Sequence, residues 1–285
     1  MNNVLIADVC TAEFGWEIMC WQGLVRRRAQ EGFDAVVVAS TDGHLPLYAD
    51  LNPLFVPHRI EGLRDCWEMK KISNRREAER VRLHLDSLQR EYEARGCRVQ
   101  RIRPSGFVPT SEQVFIPFGS REAARAAGPV ADVVVHARTK RGKNPLINAL
   151  NWRQRDWDRY VASLRALGLT VASIGSLDAS LLPEGTLDCR GHPLDAVMNL
   201  LAAARLVVGP SSGPIHLASL CRAPHLVWVP PLHGSRTLAW GSTRQRYESI
   251  WNPFGTPHRV IELDGERTPP PEKILAQTVD FLERL

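Results

Sequence analysis

Short apolar runs bounded by polar turns recur along the chain, and most are followed by a stretch of helical length. Val4-Leu5-Ile6-Ala7 is the first; a turn-like Thr11–Gly15 stretch follows, then Trp16–Gln30, which closes on Gly32. Ala35-Val36-Val37-Val38-Ala39 comes next as a second buried-type strand. The opening therefore reads as a β-α-β unit, which favours a parallel sheet with a right-handed crossover. Asn74 is placed to cap a long helix in which Ala78, Val81, Leu85, Leu88 and Tyr92 form one apolar stripe opposite arginines and glutamates. Arg98–Arg103 and Val114–Pro117 are shorter extended segments, and the alanine-rich, glycine-terminated Ser120–Gly128 ends the first half.

The pattern then starts again. Val133-Val134-Val135-His136 reads as a strand, residues 137–151 as a polar loop, and the next stretch as a helix with Trp157, Tyr160, Val161, Leu164 and Leu167 on one face, closed by Gly168. Strands at Thr170–Ile174, Leu206–Val208 and His225–Val229 alternate with helices at Leu194–Arg205 and Gly213–Cys221. Two successive runs of this kind predict an α/β protein of two Rossmann-like, doubly wound domains facing a cleft. Their expected extents are residues 1–128 and 129–270, with the boundary near Gly128–Ala131. After an extended Arg259–Leu263, the last helix, Pro271–Leu285, carries an apolar face (Ile274, Leu275, Thr278, Leu282) that needs a surface, and the first domain is the expected one.

Composition narrows the class. The 285 residues are 44% hydrophobic and 24% charged, with 20 glycines and 20 prolines, the proportions of an ordinary globular protein. No apolar run approaches the roughly 18 residues of a spanning helix, and the N-terminus lacks the basic and apolar regions of a signal peptide, so the expected location is the cytoplasm, free or peripheral to the membrane. Cys10, Cys20, Cys66, Cys97, Cys189 and Cys221 are scattered without a C-x-x-C pair, which argues against a disulfide framework or a structural zinc site and for small buried apolar roles. A net charge of +5 favours an anionic ligand or acceptor; the dispersed arginines and the lack of a nucleic-acid-binding motif make nucleic acid a weakly supported partner.

Ligands of doubly wound sheets bind outside the carboxyl ends of the strands. The richest such loop is Val207-Val208-Gly209-Pro210-Ser211-Ser212-Gly213-Pro214-Ile215-His216-Leu217-Ala218, a strand that enters a Ser/Gly turn and leaves into a helix with proline in its first turn. The amides of Ser212, Gly213 and Ile215 are expected to point outward with the helix dipole behind them, either as a phosphate site or as an ordinary cap. Arg138, Lys140, Arg141 and Lys143 crowd the loop after Val133–His136, where mutual repulsion calls for an anion unless the loop is simply solvated. Glu13 and Glu17 flank Phe14-Gly15-Trp16 after the first strand, with Asp8 nearby. Asp156-Trp157-Asp158 spells a D-x-D, but it opens an amphipathic helix, where first-turn acids serve the dipole, so a metal is not expected. Trp16, Trp21, Trp67, Trp152, Trp240 and Trp251 fit either sugar stacking or core packing.

The strand and turn at 207–218 resemble the nucleotide-binding signature of heptosyltransferase-like (family 9) glycosyltransferases of the GT-B fold, a strand followed by Asp-Ser-Gly-Pro-x-His-Leu-Ala. Ser212, Gly213, Pro214, His216, Leu217 and Ala218 match in register, and Ser211 stands where the family has aspartate. The likeness extends over roughly Val133–Val229, including the strand ending Ile174-Gly175 and the Gly191–Leu194 segment; the first half matches in outline, through a glycine and an acidic residue after the first strand.

The resemblance implies transfer of a hexosyl or heptosyl group from a nucleotide-diphosphate sugar to an acceptor hydroxyl, inverting and metal-independent, with no cofactor beyond the donor. The donor diphosphate would lie on Arg138, Lys140, Lys143, Ser211, Ser212, Gly213 and His216, and the nucleotide on Gly175 and Pro214. Glu17 or Glu13 would serve as the base, provided burial raises its pKa toward neutrality. The acceptor is expected to be an anionic glycan, a glycolipid or another acceptor. The same frame also fits a sugar-nucleotide epimerase or hydrolase, or a non-catalytic nucleotide-sugar-binding module.

Overall fold

The computed structural model describes residues 2–8, 13–60, 75–104, 108–127, 130–139, 148–230, 243–264 and 268–285. The chain divides into two compact units, Met1–Phe115 and Ile116–Leu285.

In the first unit the opening apolar run forms β1 (Asn3–Ala7), buried along four of its five residues. A helical segment follows, made of α1 (Phe14–Trp16), a π-helical turn Glu17–Trp21 and α2 (Gln22–Ala29). Then come β2 (Ala35–Thr41), β3 (Leu54–His58), α3 (Arg75–Ala94) and β4 (Arg98–Ile102). The four strands are parallel in the order β3-β2-β1-β4, so the winding reverses between β1 and β4. α3 covers this sheet with Val81 and Leu85 fully buried and Ala78, Leu88 and Tyr92 packed behind them, as the stripe predicts; its expected cap, Asn74, lies outside the described residues. One local reading changes. Val114–Pro117 is not a strand, although the Val114 amide donates to the Gly23 carbonyl at 2.9 Å. β3 is a strand despite Pro57, tolerable because β3 lies at the sheet edge.

Two short 3₁₀ turns, Leu45–Leu47 and Ala49–Leu51, follow β2. Buried Arg26 on α2 holds them, donating to both Asp50 oxygens at 2.7 and 2.9 Å and to the Leu47 carbonyl at 2.8 Å. A bidentate, largely desolvated pair of this kind fixes geometry as well as contributing energy.

The second unit contains α4 (Arg121–Ala127), β5 (Val133–Val135), α5 (Gln154–Ala166), β6 (Val171–Ser173), β7 (Leu187–Asp188) and α6 (Leu194–Ala203). It continues with β8 (Leu206–Pro210), α7 (Gly213–Leu220), β9 (His225–Val229), α8 (Thr243–Ser249), β10 (His258–Glu262) and α9 (Pro271–Leu282). Its six parallel strands run β10-β9-β8-β5-β6-β7, reversing between β5 and β8.

The expected domain limits are corrected at two places. α4 belongs to the second unit, because the Ser120 amide donates to Asn199 Oδ1 and Arg121 Nε to the Ala202 carbonyl, both at 2.9 Å; the division therefore falls ahead of α4 and not near residue 128. The C-terminal helix, expected to cover the first domain, belongs to the second unit. Ile274 and Phe281 of α9 enter the core of the second, and Thr278 Oγ1 meets Tyr160 Oη of α5 at 2.7 Å.

Trp152, Trp157, Trp228 and Tyr160 form the centre of that core, with ring centroids 4.7–6.1 Å apart. The Trp152 and Trp228 indole N–H groups donate to the carbonyls of Pro269 and Leu150 at 2.7 and 2.8 Å, so these rings bury their area without an orphaned donor. Trp16 and Trp21 are likewise buried in the first unit, which makes Trp16, Trp21 and Trp152 packing residues; Trp67 and Trp240 lie outside the described residues. Cys20 and Cys221 are buried, Cys97 and Cys189 are half-buried, and Cys10 and Cys66 are not among the described residues.

Candidate functional site

The reversal between β5 and β8 brings two distant loops together at the carboxyl ends of adjacent strands, the position where doubly wound sheets bind ligands. β8 ends at Pro210, Ser211 and Ser212 turn the chain, and α7 starts at Gly213 with Pro214 in its first turn. Ser212 is extended (φ −168°, ψ 163°), the backbone of an N-cap. Its carbonyl accepts the amides of both Ile215 and His216 at 3.0 Å, so the Ile215 amide turns inward and is not available to a ligand as expected. The Ser211 amide donates to the Trp228 carbonyl at 2.9 Å. Among the described residues this leaves the half-buried amides of Ser212 and Gly213 without a protein acceptor, at the positive end of a helix.

Arg138 arrives from the other loop. It is 7% exposed, and its Nη1 donates to the Ser211 carbonyl at 2.9 Å, so the first of the four expected cations lies directly against the Ser/Gly turn. Lys140, Arg141 and Lys143 lie outside the described residues. Tyr247 Oη donates to Ser211 Oγ at 3.2 Å, occupying the hydroxyl that stands in place of the family's aspartate.

His136, which the strand pattern presents only as the polar end of an apolar run, is a member of this site. Its Nδ1 lies 2.8 Å from Ser212 Oγ, and that hydroxyl donates to the Pro210 carbonyl at 2.9 Å. One hydroxyl carries one proton, so Nδ1–H is the donor to Ser212. Burial, then the neighbouring Arg138, pushes the imidazole down to about 3, so it is neutral. Gly175 makes room for the ring: its φ is +128°, and a Cβ there would lie 2.9 Å from His136 Cδ2 and 2.8 Å from Ser180 Oγ. Gly175 thus leaves the space that the His136 ring and Ser180 occupy.

His216 is enclosed by Tyr247 and Trp251, with ring centroids at 5.3 and 4.6 Å, and its Nδ1 has no partner among the described residues. Burial, then nearby His225, lowers it to about 3. A neutral ring among aromatics packs α7 and brings no charge to a phosphate.

At the carboxyl end of the first sheet, Glu17 is 1% exposed at the start of the π-helical turn. π-turns of this kind are frequent at functional sites. Its Oε1 accepts from Tyr48 Oη at 2.8 Å and from Ser40 Oγ, and its Oε2 lies 2.7 Å from His44 Nδ1. The expectation that burial raises this carboxyl toward neutrality is overturned. Burial alone would raise it, but the adjoining His44 and the hydrogen bonds from His44, Ser40 and Tyr48 together hold it below the usual carboxylate range. Glu13 is exposed at the N-cap of α1, its carbonyl accepting the Trp16 and Glu17 amides. Asp8 is paired with Arg101 at 3.0 Å and Arg103 at 3.3 Å.

The D-x-D acids serve structure: Asp156 accepts the Arg153 amide at 3.3 Å and Asp158 the Glu184 amide at 2.8 Å. No group of three or more His, Cys, Asp or Glu with metal-binding geometry occurs among the described residues. Nor, among them, is any helix long and apolar enough to cross a membrane.

No family model and no curated protein matches the chain. Solved structures do. A glycosyl transferase family 9 protein from Veillonella parvula DSM 2008 superposes with a TM-score of 0.63 over 100% of this chain and 98% of that one, at 9% identity. The ADP-heptose lps heptosyltransferase II of E. coli gives 0.61 over 100% and 99% at 13% identity. The E. coli heptosyltransferase WaaC with ADP-2-deoxy-2-fluoro heptose gives 0.58 over 99% and 100% at 14% identity. At these identities the likeness establishes fold: two Rossmann-like α/β units, as in GT-B glycosyltransferases, in line with the resemblance carried by the Ser212–Ala218 motif.

Proposed function

We propose that the protein is a glycosyltransferase that moves a hexosyl or heptosyl group from a nucleotide-diphosphate sugar to an acceptor hydroxyl. The observation that carries this reading is the pair of unengaged amides on Ser212 and Gly213 beside the Arg138 guanidinium at the β5/β8 reversal. A diphosphate needs donors and compensating positive charge as its leaving oxygen gains charge, and a helix N-terminus with a partly desolvated guanidinium supplies both. Whole-chain likeness to heptosyltransferases, one of which is solved both with ADP and with an ADP-sugar analogue, supports the same donor class.

In this reading the second unit holds the donor, with Gly175 and Pro214 shaping the nucleotide side and Lys140 and Lys143 adding charge, and the first unit activates the acceptor. The acceptor oxygen attacks the anomeric carbon in a single displacement, which inverts configuration; no metal or further cofactor is invoked, because amides and cations meet the diphosphate charge. The net charge of +5 favours an anionic glycan or glycolipid acceptor, and catalysis in the cytoplasm or at its membrane face.

Calorimetry with ADP, UDP and GDP tests the donor site. One diphosphate should bind, and Arg138→Ala should weaken it by roughly 10- to 100-fold, the loss expected for a hydrogen bond to a charged group. Absence of binding by all three sinks the reading. Incubation with the corresponding sugars, with and without glycan acceptors, separates transfer from hydrolysis or epimerisation.

A further inference from the structure

The carboxylate expected to act as base is poorly placed to do so. Glu17 is 1% exposed, and hydrogen bonds occupy both of its oxygens: Ser40 and Tyr48 on Oε1, His44 on Oε2. A base must come within hydrogen-bond reach of the proton it removes, directly or through one water. His44 differs on each count. Its side chain is 20% exposed, it follows β2 at the carboxyl edge of the sheet, and its Nε2 has no hydrogen-bond partner among the described residues.

The His44 ring is also held in place. Nδ1 is 2.7 Å from Glu17 Oε2, and the Phe14 ring lies against the imidazole with centroids 5.2 Å apart. The backbone beneath it is pinned by the His44 amide on the Thr41 carbonyl at 2.9 Å and, a turn later, by Arg26 on Leu47 and Asp50. In the neutral ring, the form that can act as a base, a carboxylate accepting from Nδ1 selects the tautomer with Nδ1–H and leaves the lone pair on Nε2. This is the logic by which a buried acid orients a catalytic imidazole without becoming protonated itself.

We infer that His44 is the catalytic base of acceptor activation and that Glu17 is its positioning residue. The inference rests on the glycosyl-transfer reading above and deepens it. The acceptor O–H bond breaks, its proton passing to His44 Nε2, while the acceptor oxygen bonds to the anomeric carbon. The bond from that carbon to the diphosphate oxygen breaks, and its electron pair leaves on the nucleoside diphosphate. Glu17 stabilises the imidazolium through Nδ1–H until Nε2 returns the proton to water. Ser40 and Tyr48, donating to Oε1, hold the carboxylate so that Oε2 faces the ring.

Chemical rescue tests this on the full-length protein, using whichever nucleotide-diphosphate sugar and acceptor the wild type turns over. His44→Ala should lower kcat by about 100- to 10,000-fold, the usual range for general-base removal, with donor KM and nucleoside-diphosphate affinity within about two-fold of wild type. Added imidazole should restore part of kcat to His44→Ala, and none to Glu17→Gln, which keeps its own imidazole. Glu17→Gln should fall in kcat with donor KM preserved. His44→Gln, close in size, serves as the folding control, its thermal midpoint compared with wild type.

Undiminished turnover in His44→Ala, or a loss that no imidazole concentration restores in a protein that still melts cooperatively and binds the diphosphate, overturns the assignment to His44 while leaving transfer intact. A wild type that binds no nucleoside diphosphate and turns over no donor removes the transfer reading and the base together.

Discussion

The two sheets end in loops that solve opposite electrostatic problems. At the edge of the first, an ionised carboxylate is buried and given three donors, from Ser40, His44 and Tyr48. At the edge of the second, a guanidinium is brought against a carbonyl while two histidines, His136 and His216, are desolvated until they are neutral. The first arrangement keeps a negative charge in place beside an imidazole, which suits handling a proton. The second keeps positive charge and free amides together, with no anionic side chain among His136, Arg138, Ser211, Ser212 and Gly213, which suits holding an anion. One architecture, wound twice, carries both because its loops and not its strands supply the chemistry.

Acid separates the two regions most strongly. His136 and His216 are lowered to about 3 and His225 to about 4, so between those values and the ordinary 6.5 the unfolded chain binds protons that the native one refuses. Stability of the second unit is therefore complete above pH 6.5 and falls as pH drops below it, by about 1.4 kcal/mol per pH unit for each histidine while it stays neutral. Glu17 is lowered from 4.5, so its contribution persists above that value and disappears only at lower pH. Urea titrations followed by hydrogen exchange should show the second unit weakening between pH 6.5 and 5, with the Glu17 region weakening only below 4.5. Equal loss in both units over the upper window would break the contrast.

Next in size is Glu17→Ala. It leaves the hydroxyls of Ser40 and Tyr48 and the His44 Nδ1–H without their acceptor, and removal of one member of a buried polar cluster typically costs about 3 kcal/mol. The urea midpoint of the first unit should drop accordingly; a change below about 1 kcal/mol would mean that water reaches the cluster. Gly175→Ala is smaller. A side chain at φ +128° meets His136 and Ser180 under 3 Å, which should cost about 2 kcal/mol in the second unit and displace the His136 ring. Unchanged thermal stability and unchanged diphosphate affinity would show that His136 has room to move.

Much of the fold was legible because strand and helix patterns are local. The valine runs at 36–38 and 133–135 lie in β2 and β5, and the Val81/Leu85 stripe faces the sheet. Leu187–Asp188 escaped notice because two exposed residues carry no periodicity. The domain limit is not local: the alanine-rich stretch before residue 128 closes a local pattern, whereas its membership depends on Asn199 and Ala202, far along the chain.

The site divides the same way. Ser212, Gly213 and Pro214 announce themselves in sequence, since a strand, a Ser/Gly turn and a first-turn proline are neighbours in the chain and their backbone geometry follows from residue type. His136 beside Ser212 and His44 beside Glu17 do not, since 76 and 27 residues separate the partners and only strand order brings them within 3 Å. Even the ionisation state of Glu17 had to wait for the fold. Burial pushes a carboxyl one way and donors the other, and the number of donors that close around it is a property of three-dimensional neighbours. The sequence alone determined which segments bury themselves and where a helix begins; tertiary structure decided which polar groups meet, because desolvation and hydrogen bonding act between atoms that the order of residues keeps apart.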